Sequence, residues 1–230
     1  MKLSVIIPAY NEETTIVAVI EAARSVALPG GMSREILVIN DGSSDRTAEV
    51  LRVFEGDPLV RVFHQEKNQG KTAAIKRGIR EAVGEILLIQ DADLEYSPVQ
   101  YPQLLAPILS KTAEVVYGSR FLGHIEDMKA VNRWANNFSN MSFNLLFGTQ
   151  ITDINTCFKV FRAEHIQGME IVSDHFSFET EITAKLVKKG VRILEVPIMY
   201  QARSQKQGKK IDWPRAISMY MAIIRFRFFN

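Results

Sequence analysis

Four short apolar runs, each followed by a stretch long enough for a helix or a loop and helix, constrain this chain more than any other feature. They occupy residues 3–8, 35–39, 59–63 and 85–89 and are dominated by Val, Ile and Leu. A strand with one wet face alternates polar and apolar residues, whereas a strand buried on both faces reads as a nearly continuous apolar run. Residues 12–26, 44–54, 70–83 and 100–109 read as helices, and 114–117 as a further strand. Alternation of this kind predicts an α/β fold, a mostly parallel sheet with helices on both faces. In such sheets ligands bind beyond the carboxyl ends of the strands. The residues after Ile7, Ile39 and Ile89 are therefore where chemistry is expected.

The second half is less regular. Residues 134–147 and 179–189 read as helices, 158–161 and 192–196 as strands, and 213–229 as a terminal helix. Residues 201–210 are polar and basic around Gly208 and read as a loop. A net charge of +2 makes nucleic acid an unpromising partner. The single cysteine, Cys157, excludes an internal disulfide and a cysteine zinc cluster, and it fits a reducing compartment. His64, His124, His165 and His175 lack metal-ligand spacing. Met1-Lys2 runs straight into a strand-like segment without a signal-peptide pattern, so a cytoplasmic protein is expected. The apolar run 219–224 is far shorter than the ~20 residues that cross a bilayer.

Three strand ends carry polar motifs. Gln90-Asp91-Ala92-Asp93-Leu94-Glu95 follows the fourth run. In an extended segment Asp91, Asp93 and Glu95 would share a face, and three converging carboxylates would call for a cation. Hard oxygen donors favour Mg2+ or Mn2+. The competing reading is an acidic turn capping the helix near Pro98. Asn40-Asp41-Gly42-Ser43-Ser44-Asp45 follows the second run; Asp41 can accept from a base or ribose, while Ser44 or Asp45 caps a helix. Pro8-Ala9-Tyr10-Asn11-Glu12-Glu13 follows the first run and lacks the G-x-G-x-x-G of a dinucleotide fold. Tyr10 suits a base and Glu12 a ribose or ring nitrogen there, but on this motif alone a plain capped turn is the favoured reading. Asn68-Gln69-Gly70-Lys71-Thr72 imitates the end of a P-loop, but Gln65 stands where the earlier glycine belongs. Lys71 is thus either a diphosphate contact at a helix start or a surface lysine.

In combination these segments resemble the family 2 glycosyltransferases, which have the GT-A fold. Val116-Tyr117-Gly118-Ser119-Arg120, Asn132-Arg133, residues 153–159, Phe178-Glu179-Thr180-Glu181 and Val196-Pro197-Ile198 extend the likeness to the dolichol-phosphate mannose synthases and their bacterial polyprenyl-phosphate relatives. The resemblance covers residues 3–212. It implies one GT-A domain over 1–230: a nucleotide-binding half at 1–120, an acceptor half at 121–212 and an amphipathic C-terminal helix at 213–230. It implies that Pro8, Tyr10, Glu12 and Asp41 hold the nucleoside of a nucleotide-diphosphate sugar. Lys71, Asp91 and Ala92 would lie along the ribose and diphosphate, and Asp93 with Glu95 would hold Mg2+ or Mn2+. Glu95 departs from the glutamine usual at that point, which puts donor preference in doubt. Arg120, Arg133 and Arg203 would grip a polyprenyl phosphate, and Lys209, in the loop with Arg203, would close over the donor.

The expected reaction moves a hexose, from a donor of the GDP-mannose or UDP-glucose type, onto an already ionised phosphate with inversion and without a general base. The aromatic and arginine residues of 211–230 suit an interfacial helix on an anionic membrane or a helix packed on the domain. The lipid would be met at the membrane surface, the protein being peripheral there, or through a membrane-protein partner. Two alternatives compete. A hydroxyl acceptor would need a carboxylate base, with Asp153 and Glu179 as candidates. A nucleotidyltransferase would instead release pyrophosphate.

Overall fold

The structure, a computed structural model, describes residues 1–173, 177–202 and 213–229, with the backbone course alone for 213–219. The first half runs β1 (Lys2–Ala9), α1 (Ile16–Ser25), β2 (Ser33–Asn40), α2 (Thr47–Val50), β3 (Val60–His64), α3 (Lys71–Glu81), β4 (Ile86–Ile89) and α4 (Tyr101–Leu109). The second half runs β5 (Val115–Glu126), α5 (Ala130–Phe147), β6 (Lys159–Arg162), α6 (Ala163–Ile166), α7 (Phe178–Lys188), β7 (Ile193–Gln201) and α8 (Trp213–Phe228). The strands form one seven-stranded sheet in the order β3-β2-β1-β4-β6-β5-β7. Every neighbouring pair is parallel except those made by β6, which runs against both β4 and β5. That reversal brings the start of β6 to the edge where β1, β2 and β4 end.

Alternation along the strands builds two cores. Val5 and Ile7 of β1 pack with α1 and α4 on one face. Ile6 points the other way, toward α3, α6 and α7. All three side chains are fully buried, which contributes about 1.5–3 kcal/mol for each. A third cluster joins α5, α7 and α8 through Phe143, Ala184, Ile223 and Phe226. Among the described residues no helix is long and apolar enough to cross a membrane.

The departures from the expected elements are local. The first helix starts at Ile16, not at residue 12, because Asn11 takes a positive φ of 56° and Glu12 to Thr15 form a turn closed on the Glu12 carbonyl. The expected 44–54 helix shrinks to α2 and a 3-10 turn, since the Asp45 carboxylate binds Thr47 and holds the preceding residues in a loop. Strand β5 runs on to Glu126 with a wide bulge. Ser119 pairs with Pro197 and His124 with Met199, so residues 120–123 stand opposite Ile198 alone.

Strand β7 pairs with β5 only and forms one edge of the sheet. Its outer side is covered by side chains from residues 100–103. Gln100 accepts from the Met199 N–H at 2.6 Å and donates to the Met199 carbonyl at 3.0 Å. Gln103 donates to the Pro197 carbonyl at 3.2 Å.

Candidate active site

The turns after β1 and β2 are laced together. The Asn11 N–H donates to Ser43 Oγ at 3.0 Å, and Ser44 N–H donates to Asn11 Oδ1 at 2.8 Å. Glu12 N–H donates to Thr47 Oγ1 at 2.9 Å. This pairing leaves Tyr10 exposed at the rim and Pro8 buried in the strand. Asp41, at the end of β2, is buried and accepts from Gln65 Nε2 at 2.6 Å, Gln69 N–H at 2.9 Å and Gly70 N–H at 2.8 Å. It therefore shapes the loop that leads into α3. Gly42 sits beside it with a φ of 65°, and a Cβ there would come within 2.4 Å of the Lys67 carbonyl carbon.

Lys71, the first residue of α3, is drawn into the site. Its Nζ lies 2.6 Å from Asp91 Oδ1, 3.6 Å from Glu179 Oε1 and 3.1 Å from Cys157 Sγ. Burial alone would lower the pKa of the ammonium, but the facing Asp91 carboxylate turns the balance and holds it well above the usual lysine value. Burial, reinforced by Asp91, pushes the Cys157 thiol up to about 12, so it stays protonated.

The acidic motif beyond β4 is not an extended strand. Strand β4 ends at Ile89, and residues 92–96 form a turn held by the Glu95 N–H donating to Asp93 Oδ1 at 3.1 Å. The expectation that Asp91, Asp93 and Glu95 converge on one face is corrected accordingly. Asp91 turns to Lys71, Ala92 is buried, and Glu95 turns inward, where Tyr200 Oη donates to its Oε2 at 2.7 Å. Among the described residues, the group of three such ligand atoms within 4.8 Å of one another is Glu114, Glu164 and His165, near the opposite end of β5. Mg2+ commonly binds through one or two carboxylates together with substrate phosphates, and keeps several waters. Asp93, partly exposed on the turn, supplies an oxygen donor of that kind, whereas the buried Glu95 faces Tyr200. The residues present therefore fit such a cation without forming a closed cage.

Arg120 lies in the β5 bulge, and bulges commonly re-aim a side chain. Its Nε and Nη2 donate to the two Asp153 oxygens at 2.7 and 2.8 Å, and its backbone N–H adds a third bond at 3.0 Å. Both side chains are buried, at 8% and 0% exposure. Burial would lower the arginine's pKa, but Asp153 raises it well above its usual value. The guanidinium carbon lies 5.1 Å from the centre of the Tyr200 ring. Arg133 is exposed on the first turn of α5. Arg203 and Lys209 lie outside the described residues. Pro8, Tyr10 and Asp41, then Lys71, Asp91, Ala92 and Asp93, are thus set along the carboxyl ends of β1, β2 and β4. Of the arginines, Arg120 stands beside this edge as half of a buried ion pair.

Several contributors were not foreseen. The loop 149–156 hangs from an asparagine ladder on α5. Asn140 Oδ1 accepts from the Ile154 N–H at 3.1 Å, and Asn144 Oδ1 from the Ile151 N–H at 2.9 Å. The four-residue spacing of Asn136, Asn140 and Asn144, which aligns them on one helix face, is the signal that marks this ladder. Glu195 holds the same loop, accepting from the Asp153 and Thr152 N–H groups at 2.9 and 2.8 Å. Lys159 is buried beneath it, donating to the carbonyls of Ile154 and Thr156, and burial pulls its pKa down to about 8. Tyr200 joins Glu95 to Arg120, a role that no local pattern announces.

Residues 4–168 match the family model of "Glycosyl transferase family 2". The chain is 30% identical to the undecaprenyl-phosphate mannosyltransferase of Micrococcus luteus over 91% of its own length and 87% of that protein. It is 29% identical to the dolichol-phosphate mannosyltransferase of Pyrococcus furiosus over 91% of its length, but spans only 59% of that relative. The crystal structure of glucosyl-3-phosphoglycerate synthase from Mycobacterium tuberculosis, in complex with Mn2+, UDP and glucosyl-3-phosphoglycerate, superposes with a TM-score of 0.75 at 19% identity. That match covers 98% of this chain and 79% of the synthase, and it shows the GT-A fold. With the sheet, the polar strand ends and the family match in agreement, the chain belongs to glycosyl transferase family 2 and is a glycosyltransferase.

Proposed function

We propose that this enzyme transfers a hexose from a nucleotide-diphosphate sugar to a polyprenyl phosphate, with inversion at the anomeric carbon. The observation that carries this reading is the state of Asp153. A hydroxyl acceptor needs a carboxylate to take its proton, and both Asp153 oxygens are bonded to Arg120. The other base candidate, Glu179, is held near the Lys71 ammonium. A phosphate acceptor is ionised already and needs no base. The names of the Micrococcus and Pyrococcus relatives, both polyprenol-phosphate mannosyltransferases, support the same acceptor class.

In this reading residues 1–120 bind the donor. Pro8, Tyr10, Glu12 and Asp41 surround the nucleoside, and Asp91 and Ala92 line the ribose and diphosphate. Lys71 offsets the negative charge of Asp91 and Glu179, so that a diphosphate can approach. Asp93 would hold Mg2+ or Mn2+, which when bound offsets charge on the departing nucleoside diphosphate, while Glu95, bonded to Tyr200, braces the turn. Residues 121–212 receive the acceptor. Arg133, with Arg203 of the basic segment, grips the phosphate by forked hydrogen bonds, and the Arg120–Asp153 pair sets the floor on which it rests. Lys209 adds positive charge over the donor. Positioning of phosphate against the anomeric carbon supplies much of the rate. The protein works at the cytoplasmic face of a membrane, as a peripheral enzyme or beside a membrane-protein partner.

The test is release of nucleoside diphosphate in the presence of Mn2+ or Mg2+, a short polyprenyl phosphate and either GDP-mannose or UDP-glucose. Release that requires the lipid phosphate and disappears in Asp93→Ala is the expected result and names the donor. Donor hydrolysis indifferent to the lipid phosphate would overturn the acceptor assignment.

A further inference from the structure

The acidic turn beyond β4 is held at two separate places. At its base, the buried Gln90 amide donates to the carbonyls of Asp91 and Tyr96 at 2.9 and 3.0 Å and accepts from Tyr101 Oη at 2.9 Å. At its far end, Glu95 is tied to β7 twice. Tyr200 Oη donates to its Oε2 at 2.7 Å, and the Gln201 N–H donates to its carbonyl at 3.2 Å. The backbone of the turn is therefore fixed by amides, whereas the Tyr200 hydroxyl fixes the direction in which the Glu95 carboxylate faces.

Tyr200 has little freedom to follow that carboxylate outward. Its ring is buried, packs against the Tyr96 ring at 5.0 Å and faces the Arg120 guanidinium at 5.1 Å. Its strand is clamped at the preceding residue, Met199, by Gln100. A hydroxyl that donates to a carboxylate makes a stronger bond than one between neutral groups. The Glu95 N–H already reaches Asp93 Oδ1 at 3.1 Å, so a Glu95 side chain turned outward would bring a second carboxylate to a cation held by Asp93.

The number of carboxylates decides what such a cation needs. A hard cation gains affinity with each anionic oxygen it meets. Two carboxylates would hold it before the donor arrives and after the nucleotide has gone. One carboxylate holds it weakly, and phosphate oxygens and water complete its shell.

We propose that Tyr200 is a positioning residue that withholds Glu95 from the cation, so that the ion enters and leaves with the nucleotide. The proposal rests on the reading of Asp93 as the cation ligand and deepens it; it is independent of the acceptor.

Binding of Mn2+ tests it with neither sugar nor acceptor present, because free Mn2+ gives an electron paramagnetic resonance signal that the bound ion loses. The wild-type protein should bind Mn2+ alone at least about tenfold more weakly than in the presence of UDP or GDP, whichever nucleotide its donor carries. Tyr200→Phe keeps the ring and should tighten the binding of Mn2+ alone by about tenfold. Tyr200→Phe/Glu95→Leu should return it to within about twofold of the wild type, since the carboxylate released by the first change is removed by the second. Damaged packing would weaken the site and could not tighten it. Unchanged or weaker binding in Tyr200→Phe overturns the proposal, and so does tightening that persists in the double variant. If Tyr200→Phe fails to fold, Glu95→Leu decides: nucleotide-dependent binding within about twofold of the wild type is expected, and a loss of about tenfold, the mark of a lost ligand, overturns the proposal. Asp93→Ala should abolish nucleotide-dependent binding. If it does not, the cation reading fails and takes the proposal with it; if it does, an inert Tyr200→Phe sinks the proposal alone.

Discussion

Removing the Asp153 carboxylate would leave the Arg120 guanidinium buried without its counterion. Arg120 makes three bonds to that carboxylate, at 2.7, 2.8 and 3.0 Å, and both side chains are nearly out of solvent. Deleting one partner of such a pair costs about 3–5 kcal/mol, because the remaining charge keeps its desolvation penalty. At about 2–4 °C per kcal/mol for a chain near this length, Asp153→Ala should lower Tm by roughly 10 °C. Urea unfolding followed by circular dichroism measures the same loss. The double variant Arg120→Met/Asp153→Leu should regain most of it, since neither charge is then buried. A loss below about 1 kcal/mol in Asp153→Ala would refute the reasoning, because that is the behaviour of a solvent-screened pair. A double variant no more stable than the single one would refute it equally. Once refolded, the double variant also separates two roles of Arg120. Lost turnover in a stable protein assigns the arginine to the acceptor; retained turnover assigns it to bracing.

In the proposed donor site, Lys71→Met should lower kcat/KM for the donor by about 100-fold, or about 2.7 kcal/mol, because Asp91 and Glu179 would then lose their cation; steady-state nucleotide release checks it, and a loss under about threefold would sink the idea. Lys159 titrates at about 8 when folded against an ordinary 10.5. Between those values the unfolded chain holds the proton and the folded chain does not, so stability rises with pH across the window. Relative to Lys159→Met the gain approaches about 3 kcal/mol; denaturation of both proteins below, within and above the window should show it, and a constant difference would rule it out. Gly42→Ala should cost about 1–3 kcal/mol, since its Cβ would strike the Lys67 backbone at a positive φ. Thermal unfolding measures that cost, and a nucleotide titration should show weaker binding as the Asp41-bound loop shifts.

The sheet was legible because strands buried on both faces advertise themselves: residues 3–8 and 35–39 lie inside observed strands, and 85–89 overruns β4 by one residue. The placement of Asp41 and Asp91 at the strand ends followed from topology, since a parallel strand delivers its next residue to the common edge. What could not be read is set by tertiary contacts. The alternation that would align Asp91, Asp93 and Glu95 stops where β4 stops, and the turn beyond it is dictated by Lys71 and by Tyr200, 105 residues after Glu95. By resemblance Arg120 reads as a phosphate-gripping arginine, and nothing local to it announces that the β5 bulge and the asparagine-held loop bring Asp153 against it. The exposed Val131, Trp134, Phe138, Met141 and Leu145 of α5 were in plain view as a three-and-four spacing, but that spacing is equally the mark of a buried face. Only the position of the helix tells the two apart.

The glutamines that cover β7 bear on how this chain stays out of aggregates. A sheet rich in parallel strands assembles slowly from distant segments, and an open edge is a template for strands of other chains. Here the template is occupied at Met199 and Pro197 by Gln100 and Gln103. Those residues lie just downstream of the Asp91–Glu95 turn, so the segment that carries the acidic turn beyond β4 also closes the sheet against self-association. A substitution there that spares the active site but loses the Gln100 amide should show itself as insoluble protein rather than as a slow enzyme.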